Sequence, residues 1–133
     1  MGRKAPVCTL LIVDDSADTR DMYATYFRGR GYTAFTAADG REALACDCVP
    51  DVILLDLGLP DLDGWELARR FRGQPGTRHV PIIAVSAHAE LSARMRAMSA
   101  GVDLFVPKPV TPADLLDRVA GFRVHASPVP PPR

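Results

Sequence analysis

Apolar runs alternate with helix-spaced patterns five times along the chain, and most of the runs close on a charged or hydroxyl residue. The first strand is expected over about Cys8–Val13. A helix follows over about Ser16–Arg28, with Ser16 as N-cap, Met22, Tyr23, Tyr26 and Phe27 setting a one-sided spacing, and Gly29 and Gly31 as its stop. A short strand near Tyr32–Thr36 leads to a helix near Gly40–Cys46 capped by Asp39. Pro50 precedes the third strand, Asp51–Leu55. After the loop Gly58-Leu59-Pro60-Asp61, the spacing of Trp65, Leu67, Ala68 and Phe71 predicts a helix over Gly64–Phe71. Strand four is expected at Val80–Val85. The next helix, Glu90–Ser99, carries Leu91, Met95 and Met98 on one face and stops at Gly101. Strand five is expected at Asp103–Val106. A last helix starts at Thr111, with Pro112 at its first position, and buries Leu115, Val119 and Phe122.

Strands of four or five β-prone residues separated by single helices form a parallel sheet with helices on both faces. Right-handed crossovers leave two common strand orders for one doubly wound α/β domain. In the order 2-1-3-4-5, strands one and three are neighbours and the chain reverses direction between them, which is where open α/β sheets bind ligands. Asp14 and Asp15 follow strand one, and Asp56 follows strand three. Carboxylates two crossovers apart in sequence then meet in space.

Crowded carboxylates repel, so such a cluster needs a proton or a cation between its members. Oxygen ligands of this kind suit a hard octahedral ion, most simply Mg²⁺. Lys108, after strand five, brings a positive charge to the same edge, and Ser86, after strand four, brings a hydroxyl. A cation, an ammonium and a hydroxyl around one carboxylate point to phosphoryl chemistry at Asp56. Taken singly, Asp14-Asp15 is a solvated turn as readily as a ligand pair, Asp56 and Ser86 are ordinary caps, and Lys108 is a loop residue. Their joint placement at the ends of strands one, three, four and five favours the site.

Composition narrows the field. The 133 residues make one domain of ordinary size, and 47% hydrophobic content fits a folded soluble protein. Formal net charge is +0 and no basic stripe is evident, so direct nucleic-acid contact is not expected. No run approaches a membrane span, and residues 1–6 lack the apolar core of a signal peptide, so a cytoplasmic location is the expectation. Residues 1–7 form a leader, 8–123 the domain, and 124–133 a tail. Ser127–Arg133, with four prolines, should be extended or disordered. Cys8, Cys46 and Cys48 form no CxxC pair and are expected as small buried hydrophobes in a reducing compartment. His79 and His125 are expected at the surface.

The segments LLIVDDS, DVILLDLGLPDLDG, IIAVSAH and FVPKPV resemble the receiver domain of two-component response regulators, a CheY-like, flavodoxin-like fold, over about Thr9 to Phe122. The combination is specific, although each piece alone is weak. The resemblance implies that Asp56 is the phosphoacceptor, that Asp15 ligates Mg²⁺ directly, and that Asp14 holds it through water. It implies the Gly58 carbonyl as a further ligand, Ser86 and Lys108 as phosphoryl-binding groups, and a cis Lys108–Pro109 peptide. Phe105 falls at the aromatic switch position, where tyrosine is also frequent, and Ser86 where threonine is also common. Gly58 and His88 fall at positions that tune phosphoryl lifetime in this family. Glycine brings no side chain to shield or orient the attacking water. His88 is either a steering group or a solvated loop residue.

The implied function is a phosphorylation-activated switch, not a turnover enzyme. It takes its phosphoryl group from a histidine kinase or phosphotransfer protein and signals to a downstream protein through the fourth helix, fifth strand and fifth helix. Arg94 and Arg96 are either partner contacts or ordinary solvated charges. The domain is expected to act alone, as monomer or phosphorylation-dependent homodimer, or as part of a larger protein. A phosphohydrolase of the haloacid-dehalogenase type would also use acidic strand ends, Mg²⁺ and lysine, but it needs Asp-x-Asp where this chain has Asp14-Asp15-Ser16. A receiver-like scaffold that works without phosphorylation is disfavoured by the intact acceptor site.

Overall fold

The apolar runs form five strands, β1 (Thr9–Val13), β2 (Thr33–Ala37), β3 (Val52–Asp56), β4 (Ile82–Ser86) and β5 (Leu104–Pro107). Between and after them lie α1 (Ala17–Arg28), α2 (Gly40–Ala45), α3 (Gly64–Gly73), α4 (Leu91–Ser99) and α5 (Pro112–His125). The structure is a computed structural model that describes residues 8–57, 64–87 and 91–125, excepting the side chains of 91–94 and 123–125. The strands pair in the order β2-β1-β3-β4-β5, each parallel to its neighbour, as the sequence pattern predicts.

Alternation along the central strands sorts side chains between two layers. Leu11, Val13, Ile53 and Leu55 face one layer with Ala43, Leu67, Phe71 and Ala97, so α2, α3 and α4 cover that side. Leu10, Ile12, Val52 and Leu54 face the other with Tyr23, Phe27, Leu115 and Val119, so α1 and α5 cover that side. Fully burying side chains of this size contributes about 1.5–3 kcal/mol each, and the central strands are where that burial is densest.

Local chemistry sets the helix starts. Ser16 Oγ accepts from the Thr19 amide at 3.3 Å, and Thr111 Oγ1 accepts from the Asp114 amide at 3.1 Å. Asp39 accepts from the Glu42 amide at 2.9 Å while Glu42 Oε1 accepts from the Ala38 amide at 2.6 Å, a reciprocal cap on α2. Gly101 ends the α4 segment at φ +107°, a conformation natural only to glycine.

Four expectations change. Strand β4 begins at Ile82 rather than Val80, because Pro81 has no amide and the Val80 carbonyl accepts from Arg72 at 2.7 Å. Within α1 the buried residues are Tyr23, Ala24 and Phe27, while Met22 is exposed. Of the apolar α4 face, Met95 and Met98 are exposed and the Leu91 side chain lies outside the described residues, whereas Ala97 and, just past the helix, Ala100 are buried, since small side chains let the helix approach the sheet. Cys8 is buried as expected, but Cys46 and Cys48 are half-buried and joined to each other.

Candidate functional site

Register brings the polar strand ends into one row. Val13 pairs with Leu55, so Asp14, the next residue after β1, lies beside Asp56 at the end of β3. Asp56 pairs with Val85, and Ser86 pairs with Pro107, so Ser86 and Lys108 extend the row across β4 and β5. The first strand therefore contributes acids, the third an acid, the fourth a hydroxyl and the fifth an ammonium.

Asp14, Asp15 and Asp56 present carboxylate oxygens within 4.8 Å of one another. Asp14 is buried, Asp56 is 13% exposed at its side chain, and Asp15 is open to solvent. Lys108 Nζ stands 3.9 Å from Asp56 Oδ2. The Lys108 amide donates to the Ser86 carbonyl at 2.8 Å, which anchors the lysine backbone to the end of β4. The Lys108–Pro109 peptide is cis, as the resemblance implies. Ser86 is buried, and Phe105 is buried with Ala84, Ala97, Ala100 and Val102. Gly58 and His88 lie outside the described residues.

Within the row, burial weighs first on Asp14. Burial pushes the Asp14 carboxyl above its ordinary range; the Ser16 amide, donating to Asp14 Oδ1 at 2.9 Å, opposes this, the Asp56 charge adds to it, Lys108 opposes it, and Asp15 adds to it. The Tyr23 phenol, buried below the row, is pushed up by desolvation and then by the charges of Asp14 and Asp56. Oxygen donors crowded beside one ammonium form a site with excess negative charge, and their hardness and spacing fit a small divalent cation.

Two residues with a place here were missed by sequence reasoning. Tyr23 lines a cavity of about 10 Å³ with Asp14, Asp56, Leu54, Val85 and Leu115, although its spacing on α1 marks it only as core. Arg20 Nη1 donates to the Asp14 carbonyl at 3.0 Å, fixing the backbone that carries the acidic pair. Neither contact is encoded by a local motif, because both depend on how α1 lies against β1.

The segment after Asp56 is held by a close approach. Gly64 N donates to the Leu57 carbonyl at 3.1 Å, and a Cβ added at Gly64 would fall 2.5 Å from Leu57 Cα. A larger residue there would push against the backbone next to Asp56.

A family model described as the response regulator receiver domain matches residues 10–120. The phosphate regulon transcriptional regulatory protein PhoB of Pseudomonas aeruginosa is 38% identical over 113 residues, covering 84% of this chain and 49% of that protein. The chain likewise spans only 43% of the probable transcriptional regulator ycf27 of Guillardia theta, so it is about half the length of these curated relatives. The structure of the chemotaxis protein CheY4 of Vibrio cholerae superposes with TM-score 0.83 at 30% identity, covering 88% of this chain and 99% of that one. A putative response regulator from Chloroflexus aurantiacus gives TM-score 0.81 at 36% identity, covering 90% and 99%. With the strand order, the row of polar strand ends and a family match over most of its length in agreement, the chain belongs to the response regulator receiver domains, the phosphorylation-activated signalling modules of two-component systems.

Proposed function

We propose that Asp56 accepts a phosphoryl group from a histidine kinase or histidine phosphotransfer protein in a Mg²⁺-dependent reaction. The observation that carries this reading is the convergence of the Asp14, Asp15 and Asp56 carboxylates within 4.8 Å, with Lys108 Nζ 3.9 Å from the Asp56 oxygen. Asp14, Asp15 and Asp56 would hold the ion, joined by the Gly58 carbonyl that the family resemblance implies. When bound, a hard divalent cation neutralises charge among the carboxylates and on the incoming phosphoryl group.

The Asp56 carboxylate oxygen attacks phosphorus, an O–P bond forms, and the N–P bond of the donor phosphohistidine breaks with its electrons on the imidazole. Lys108 pairs with a phosphoryl oxygen as a point charge on a flexible stem. The Ser86 hydroxyl donates to another. Later attack of water on phosphorus restores the carboxylate, so the domain is a switch with a self-limiting lifetime and not a turnover enzyme.

Phosphorylation adds up to about −2 charge and three acceptor oxygens at this edge. Moving a two-state element from 1:99 to 99:1 takes about 5.5 kcal/mol of differential interaction. Two charge-assisted hydrogen bonds, from Ser86 and Lys108, supply about 3–6 kcal/mol. That is enough to bias the α4–β5–α5 face toward a downstream protein, with Phe105 as the aromatic that follows Ser86. Cytoplasmic location goes with this reading, and among the described residues no helix is long and apolar enough to cross a membrane.

Incubation with radiolabelled acetyl phosphate and Mg²⁺ tests the proposal. Wild type takes up label, Asp56→Asn takes up none, and chelation of the metal suppresses uptake by at least about 100-fold, since losing a single oxyanion-hole donor in acyl transfer already removes about 10²–10³ in rate. Undiminished labelling of Asp56→Asn would refute the acceptor assignment.

A further inference from the structure

The Cys46-Asp47-Cys48 segment is set apart from the phosphoryl site both in place and in chemistry. It lies where α2 ends and the chain turns toward β3, with Cys46 as the C-cap in extended conformation (φ −65°, ψ 131°). The two Cα atoms stand 5.3 Å apart, within the separation that a disulfide spans, and the sulfurs are bonded to each other. The Cys48 amide donates to Cys46 Sγ at 3.2 Å, so the backbone itself holds the turn that brings the sulfurs together.

Access and isolation complete the picture. Both cysteines are half-buried and, like Leu44, Trp65 and Val80, pack against the apolar cluster of that face, and Asp47 between them is exposed. Cys8 is buried on the opposite face of the sheet with Leu10 and Val52, so it cannot exchange with this pair. Each of the two cysteines therefore has one protein partner, the other.

We propose that Cys46 and Cys48 form a reversible dithiol–disulfide centre that exchanges with a thiol–disulfide couple of the glutathione class. One cysteine, as thiolate, attacks the disulfide of oxidised glutathione; an S–S bond forms to it, and one glutathione leaves as thiolate. The second cysteine loses its proton and attacks the mixed disulfide, which closes Cys46–Cys48 and releases the second glutathione. Two protein thiols are oxidised, two glutathione thiols are produced, and the two protons given up are those the leaving thiolates take on. In compartments held reduced by glutathione, disulfides that do form are usually transient, catalytic or redox-sensing.

The full chain is equilibrated in mixtures of reduced and oxidised glutathione, quenched with acid, denatured, alkylated and read by peptide mass spectrometry. The pair is expected to pass from doubly alkylated to closed as the oxidised fraction rises, to return on reduction, and to leave Cys8 alkylated throughout. In Cys46→Ser, where closure is impossible, glutathione is expected to persist on Cys48 and to be at least tenfold more abundant than on the wild-type pair. A pair that stays doubly alkylated across the whole series, or a wild type that accumulates the mixed disulfide as the variant does, would overturn the proposal.

Discussion

Asp14 shows most clearly what the site demands of a single residue. Its carboxyl is harder to ionise in the fold than in the unfolded chain, chiefly because it is buried and then because Asp56 and Asp15 are near. Such a group binds more protons in the folded state, so the stability it removes is lost in full above its folded pKa and recovered as pH falls through that value. Without divalent cation, Asp14→Asn is therefore predicted to raise the melting temperature at neutral pH by about 2–6 °C. The amide oxygen can still accept from Ser16 N. Adding Mg²⁺ should stabilise the wild type and do much less for the variant, which thermal melts with and without the metal would read. At the other end of the row, Lys108→Ala removes the ammonium 3.9 Å from Asp56. We predict that it uncouples phosphorylation from conformational change, so that NMR signals of Phe105 no longer shift when Asp56 is modified.

The acids and the lysine were legible in the sequence because each directly follows a run of β-prone residues, and a parallel sheet puts such positions at one edge. Tyr23 and Arg20 were not, because their contacts with Asp14 depend on the packing of α1 against β1, which periodicity does not specify.

Elements were read more securely in type than in facing. Five strands and five helices follow in the order the pattern predicts, with β4 starting two residues late, yet α4 turns Met95 and Met98 outward and buries Ala97, with Ala100 buried just past its end. A helix pattern with apolar residues on two sides does not say which side the sheet will take. The ends of α3 and α4 are instead fixed by Arg72, whose guanidinium donates to the carbonyls of Thr77, Arg78, Val80 and Gly101 and pairs with Asp103 at 2.6 Å. Asp103 Oδ2 also accepts from the Ile82 amide at 2.8 Å, so one pair ties α3, the start of β4 and the turn before β5 together. Arg72→Ala should destabilise the domain by about 2–3 kcal/mol, measured by urea unfolding, because several carbonyls lose a charged donor at once. Arg96 over the Trp65 ring, 4.8 Å from its centroid, is a second link between α3 and α4. Gly64→Ala acts at shorter range, since the added Cβ meets Leu57 Cα at 2.5 Å. It is predicted to slow phosphoryl uptake from acetyl phosphate about tenfold or more by shifting the backbone next to Asp56, as small misplacements in reacting geometry do.

On the scale of the whole molecule, the sheet divides the work. Its carboxyl edge gathers charge, while its two faces bury the apolar layers that keep the strand ends in register. The proposed route from that edge to the surface runs through β4 and β5, which carry Ser86 and Phe105 and, in β5, lead into Lys108. The central claim is that Asp56, and not its acidic neighbours, takes the phosphoryl group. Borohydride reduction of the acetyl-phosphate-treated protein tests it most directly, because an aspartyl phosphate is converted to homoserine at the residue that carried it. Peptide sequencing is predicted to find homoserine at position 56 alone; homoserine at position 14 or 15, or at no aspartate, would contradict the account.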